Sequence, residues 1–144
     1  MNEEWRPVPG WESVYQVSSE GRVKNITRDV RSPWGFRKVE GRLMSLLANG
    51  NGYRFLYLKR GNTRTKAYVH RLVALAFITQ PAGECVVNHK DFNPANNTAA
   101  NLEWVSQAEN LNYSRKAGRM PVTDKQRAAG ASARLIAQQR RNTQ

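Results

Sequence analysis

From Trp5 to about Thr65 the apolar residues come in short runs broken by Gly, Pro and Asn, a pattern that predicts short strands joined by turns. Tyr15-Gln16-Val17-Ser18 leads through Ser19-Glu20-Gly21 into Arg22-Val23-Lys24-Asn25-Ile26, a hairpin with Gly21 in the turn. A second hairpin follows: Tyr53-Arg54-Phe55-Leu56-Tyr57-Leu58, then Arg60-Gly61-Asn62, then Thr63 to Val69, with basic side chains alternating along both strands. The period changes at His70. Leu72, Val73, Leu75, Ala76 and Phe77 stand at helical spacings until Gln80-Pro81-Ala82-Gly83 ends the run, which predicts one short helix. Cys85-Val86-Val87 reads as a brief strand, Lys90 to Ala100 as a polar loop and Leu102-Glu103-Trp104-Val105 as a second strand. Ser106 then caps a helix, with Glu109 at the spacing of a capping box.

Charge adds to this picture through its sign and its position. The 144 residues carry 23 Lys plus Arg against 11 Asp plus Glu, a formal charge of +12 that points to a polyanionic partner. From Arg115 onward eight basic residues face one acid, Asp124, and Thr123 can cap a helix running to Gln139, but Leu135 and Ile136 give it little apolar face. The end of the chain therefore reads as a basic tail, helical when on DNA, with a solvated helix or disordered end lacking a dedicated ligand as its alternative. The first residues, with Glu3 and Glu4 and no apolar run, do not form a secretory signal, and Leu72 to Ile78 is too short to span a bilayer. A soluble, cytoplasmic protein is expected. The single cysteine, Cys85, excludes an internal disulfide and a cysteine-built zinc site, and reads as a small core residue.

Candidate chemistry gathers in the strand–loop–strand–helix segment. Pairing the two strands as a hairpin closes the loop on itself and lets the helix pack across, bringing Asn88, His89 and Asn110 towards one point. Phosphodiester hydrolysis needs a base to take a proton from water and a cation to offset charge on the phosphate and leaving oxygen. A neutral imidazole at His89 can do the first. Amide oxygens of Asn88 and Asn110 can help hold a hard cation that keeps most of its waters.

Val87-Asn88-His89-Lys90-Asp91, then Asn93, Asn96 and Asn97, then Asn101-Leu102-Glu103-Trp104-Val105-Ser106 and Glu109-Asn110, resemble the HNH motif of phage and intron-encoded homing endonucleases. Val69-His70-Arg71-Leu72-Val73-Ala74 and Ala76-Phe77 are similar to the helix that precedes that motif. Glu4 to Gly10, Tyr15 to Ser18 and Gly21-Arg22-Val23 resemble the small N-terminal module often attached to these nucleases, thought to assist DNA binding. The resemblance implies an α+β protein: a β-rich module over residues 1–60, a ββα-metal (His-Me finger) nuclease core over 61–114 and a basic extension over 115–144. It further implies a DNA endonuclease with one divalent metal ion per active site, Mg²⁺ or Mn²⁺. His89 would be the general base, Asn110 and Asn88 the metal ligands, and Asn101 the central asparagine that fixes the loop so that the histidine is aimed. Relatives often carry an aspartate where Asn88 stands, which implies weaker metal binding. That departure keeps open a rival, an HNH scaffold that binds DNA without cutting it.

Other residues carry plainer expectations. His70 reads as structural, with a phosphate contact as its alternative, Asn93, Asn96 and Asn97 as loop formers, and Asp91 as an exposed loop carboxylate, with a contact to His89 or a further metal ligand as its alternatives. Trp104, Phe77, Leu102 and Leu111 are expected in the core, and Trp5, Trp11 and Tyr15 in the small core of the N-terminal module. The expected partner is double-stranded DNA, contacted by Arg54, Lys59, Arg60, Arg64 and Lys66 on the second hairpin and by Arg71, Arg115, Lys116 and Arg119 nearer the nuclease. No obligate protein partner is inferred. A phage origin would place the protein in the bacterial host cytoplasm.

Overall fold

The computed structural model describes residues 2–118, in two units, Met1–Gln107 and Ala108–Gln144. The expected tail helix from Thr123 to Gln139 lies outside the described residues, as does Arg119. Among the described residues ten short strands and two α-helices run in the order β1 (Trp5–Pro7), β2 (Tyr15–Ser18), β3 (Val23–Asn25), β4 (Arg28–Ser32), β5 (Gly35–Val39), β6 (Leu47–Ala48), β7 (Arg54–Arg60), β8 (Thr63–Tyr68), α1 (Val69–Phe77), β9 (Cys85–His89), β10 (Leu102–Ser106) and α2 (Gln107–Lys116). The class is α+β, with the strands grouped as two three-stranded sheets, β1-β2-β3 and β6-β7-β8, and two hairpins, β4-β5 and β9-β10.

Both hairpins read from the sequence are present. Gly21, at φ +82°, lies between β2 and β3, and Gly61, at φ +57°, turns β7 into β8. Glycine takes up such backbone angles without the Cβ clash other residues would suffer. Alternation along β7 decides which face is buried: Leu56 and Leu58 point inward while Phe55, Tyr57 and Lys59 take the other side. The inward residues join Val8, Val14, Tyr15, Val17 and Val23 of the N-terminal strands, Val69, Leu72 and Val73 of α1, and Leu102 of β10 in a single core. Each such side chain, fully buried, contributes about 1.5–3 kcal/mol. The core therefore ties the first sheet, the β7-β8 hairpin, α1 and the β9-β10 hairpin together.

Several core expectations hold and others need correction. Leu102 is buried and Phe77 packs partly buried against the core, whereas Trp104, expected inside, stays half-buried outside the core cluster because its indole N–H donates to Ile78 O at 3.2 Å. Leu111, expected inside, is 38 % exposed. Gln107, Glu109, Asn110, Asn112, Ser114, Arg115 and Lys116 surround it on α2, which buries none of its described residues because it has no apolar stripe to be drawn inward. Cys85 is half-buried rather than core, its sulfur 3.3 Å from Gln80 Nε2. In the N-terminal module Tyr15 is buried and Trp11 partly so, but Trp5 presents its ring to Lys24 Nζ, 4.0 Å from the ring centre. Among the described residues no helix is long and apolar enough to cross a membrane.

Candidate active site

β9 and β10 pair antiparallel with His89 opposite Leu102 and Asn88 opposite Glu103, so both motif residues stand at the loop end of the first strand. The alternation that buries Leu102 also carries His89 inward, and the two side chains are 5 % and 7 % exposed for His89 and Asn88. Asn88 Nδ2 donates to Glu103 Oε1 at 2.9 Å. With its nitrogen so engaged, the amide oxygen of Asn88 is the atom left to meet a cation, a donor that suits a hard divalent ion. Among the described residues no group of three or more His, Cys, Asp or Glu forms a metal cage. An amide oxygen fits a hard divalent ion that keeps most of its own waters.

The long loop is held by its own polar groups. Asn101 Nδ2 donates to Asp91 Oδ1 and to Asn96 O, both at 2.9 Å, while Asn101 Oδ1 accepts from Asp91 N at 3.1 Å. Lys90 N donates to Asn101 O at 2.8 Å, closing the loop onto the end of β9. Asp91 is the loop's hub: it also accepts from Asn93 N and Asn96 Nδ2, each at 2.8 Å. These donors, Asn96 first, then Asn93 and Asn101, hold its carboxyl down at about 2. Asp91 is exposed, as expected, yet its work is to brace the loop.

Sequence reasoning missed Asn97. It is 4 % exposed, and its Oδ1 lies 2.9 Å from His89 Nε2. With Asn97 Oδ1 as acceptor, this contact is made by the tautomer of His89 that carries its hydrogen on Nε2 and leaves Nδ1 unprotonated. Nothing separates Asn97 from the loop formers Asn93 and Asn96 in the sequence, since the distinction is its burial. Glu103 was likewise unmarked, and only its register opposite Asn88 reveals it.

His70 sits at the start of α1, 8 % exposed, with its ring centre 5.3 Å from that of His89. Tyr53 packs against both imidazoles, at 5.3 and 5.8 Å. Burial, followed by the neighbouring charges of His89 and Arg71, pushes His70 down to about 4, and its Nδ1 is buried without a hydrogen-bond partner. It packs at the head of α1 among the rings of Tyr53, Tyr68 and His89. Beside it an open hollow of about 350 Å³ is walled by Tyr53, Tyr68, His70 and Arg71 on one side and Val86 and Val87 of β9 on the other.

The structure divides the expected DNA-contact residues. Lys59 pairs with Arg64, and Tyr57 with Lys66, so Lys59, Arg64 and Lys66 share the outer face of β7-β8 with Phe55, Tyr57 and Tyr68. Arg64 lies 3.7 Å over Tyr57, and Lys66 Nζ 4.2 Å over Phe55. Arg54 and Arg60 fall on the opposite side, where Arg60 stacks over Trp11 at 4.5 Å and donates to Gly10 O at 2.6 Å. Arg71 is exposed on α1. The β4-β5 hairpin, not singled out in the sequence, exposes Trp34 and Phe36 to 96 % and 80 % beside Arg31, Arg37 and Lys38. In the second unit, Asn110 is half-buried one turn into α2 and its carbonyl accepts from Ser114 Oγ at 3.0 Å, while Arg115 and Lys116 are exposed in the last turn.

An antiparallel hairpin whose first strand ends in Asn-His, a loop pinned across its base by an asparagine, and a helix that follows the second strand directly define the HNH class of nuclease. The NUMOD4 motif model matches residues 3–59 and the HNH endonuclease model residues 67–112. The chain belongs to the HNH endonuclease family. It is similar to the DNA endonuclease I-HmuI of Bacillus phage SP01, 32 % identical over 126 residues, covering 88 % of this chain and 66 % of that one. A solved structure described as DNA binding and cleavage by the HNH homing endonuclease I-HmuI matches with a TM-score of 0.69 at 33 % identity over the same shares. An uncharacterized HNH endonuclease of Acanthamoeba polyphaga mimivirus is 35 % identical over 99 residues, 69 % of this chain and 26 % of that protein. The chain thus spans from about a quarter to 66 % of the length of these relatives. The family generally uses a divalent metal ion.

Proposed function

We propose that the protein is a homing-type endonuclease that hydrolyses phosphodiester bonds of double-stranded DNA. The observation that carries the proposal is the pairing of a buried Asn88-His89 at the end of β9 with a loop locked by Asn101, in the segment matched by the HNH family model. I-HmuI, which this chain matches in sequence and fold, is described as binding and cleaving DNA, which supports DNA as the substrate here.

In this reading His89 takes a proton from the attacking water through its basic nitrogen while Asn101, Asp91 and Asn96 hold the loop rigid, so no reorganisation is needed when the proton moves. The water attacks phosphorus in line with the departing 3′ oxygen. One Mg²⁺ or Mn²⁺ per site, when bound, supplies the positive charge that offsets the phosphate and leaving oxygen. Asn88 and Asn110 would hold it through their amide oxygens, with Glu103 beside Asn88 lending the carboxylate that the neutral amide lacks. Lys59, Arg64, Lys66, Arg71, Arg115 and Lys116 contact phosphates and set the register of the duplex, as would Arg119. Arg54 and Arg60 play a lesser part. For a phage-encoded chain this chemistry takes place in the host cytoplasm.

The mechanism leaves a 5′ phosphate and a 3′ hydroxyl. Nicks made by the protein should therefore reseal with DNA ligase alone, without kinase or phosphatase treatment. Product that ligase reseals only after end repair would contradict the proposed direction of attack.

A further inference from the structure

The turn at residues 19–21, which closes the β2-β3 hairpin of the N-terminal module, lies against the nuclease loop. Gly21 is buried, and a Cβ at its position would stand 2.9 Å from Asn97 Cβ and 3.0 Å from Asn97 O. Contacts that short are not tolerated, so the turn reaches the loop only because residue 21 has no side chain. A backbone bond reinforces the approach: Ala99 N donates to Ser19 O at 2.8 Å. The turn is itself stiff. Ser18, fully buried, accepts through Oγ from Glu20 N at 3.3 Å and Arg22 N at 3.0 Å. Residues 97–99 are thus gripped at both ends from outside the nuclease motif, and Asn97 in turn holds the ring of His89 at 2.9 Å.

We infer that Asn97 is a positioning residue for His89 and that the 19–21 turn of the N-terminal module is the clamp that keeps it in place, so the module takes part in aiming the base. The inference rests on the reading of His89 as general base. Asn97 touches no reacting atom in this account. It fixes which imidazole nitrogen carries the hydrogen and where the other points, and a displacement on the order of 1 Å at a reacting group costs about 100-fold in rate.

The test uses the full chain, with single-turnover cleavage in Mg²⁺ or Mn²⁺, duplex affinity in chelator, and nitrogen-15 spectra of the imidazole N–H of His89. Asn97→Ala should lower the rate by about 10- to 100-fold with duplex affinity unchanged, and the His89 ring N–H signal should be lost to solvent exchange. Asn97→Asp keeps the acceptor oxygen and should restore both. Gly21→Ala should slow cleavage and weaken the ring signal, whereas Gly83→Ala, at φ +97° with open space around it, adds comparable backbone strain and should change neither. An Asn97→Ala protein with a wild-type rate, alongside an inactive His89→Ala protein, would overturn the inference while leaving the general base standing. Full cleavage by folded His89→Ala would instead sink the base. A ring N–H as well protected in Asn97→Ala as in wild type would overturn the inference whatever the cleavage result.

Discussion

His70 shows how burial alone sets the behaviour of a residue. Its folded pKa, about 4, lies below the ordinary value of 6.5, so the unfolded chain takes up a proton that the folded one refuses. The stability this adds is complete above 6.5 and is lost as pH falls through the folded value. The shift corresponds to about 3 kcal/mol. Denaturant unfolding followed from neutral pH down to the region of the folded pKa should show wild type losing stability that a His70→Leu variant does not lose; equal losses would mean that His70 is not held neutral. At this scale the sequence was informative in part. Asn88, His89 and Asn101 were legible because motif and strand period agree, and His70 because it opens an apolar helix. Asn97 and Glu103 were not, since only the folded loop buries the first and only strand register sets the second beside Asn88.

Among the elements, the β7-β8 hairpin was visible in the sequence from its alternation and its Gly61 turn, but the sequence did not say which cations share a face. Core packing decides that: Leu56 and Leu58 turn inward, so Lys59, Arg64 and Lys66 are left together on the outer side. If that face meets phosphates, replacing all three by Ala should make duplex binding less sensitive to salt, the logarithmic slope falling by about 0.9 for each phosphate the face neutralises. An unchanged slope would move the DNA to another face. The β4-β5 hairpin escaped notice because it contributes nothing to the core, and a strand without a buried face leaves little periodic signal. α2 was foreseen as an element but not in its packing. Its polar sequence supplies a helix without an apolar side, and Leu111 stays exposed for that reason.

Across the whole molecule, one core joins strands of the N-terminal module to α1 and β10. The two family models meet this chain as separate stretches, 3–59 and 67–112, yet the residues between Val8 and Leu102 bury their apolar groups together. Val17→Ala, in the first sheet, should therefore speed hydrogen exchange in β9 and β10 as well as in β2, with a loss of about 2 kcal/mol; protection that falls only in the N-terminal strands would show two independent cores. The charge of +12 and the basic outer face belong to the same scale, as does the central claim that this scaffold cuts DNA. The most direct test is conversion of supercoiled plasmid to open-circle and linear forms in Mg²⁺, in Mn²⁺ and in chelator, with wild type beside His89→Ala. The account expects cutting that requires the metal and falls by at least about 100-fold in the folded variant. Cutting that survives chelation, or a folded His89→Ala protein as active as wild type, would contradict it.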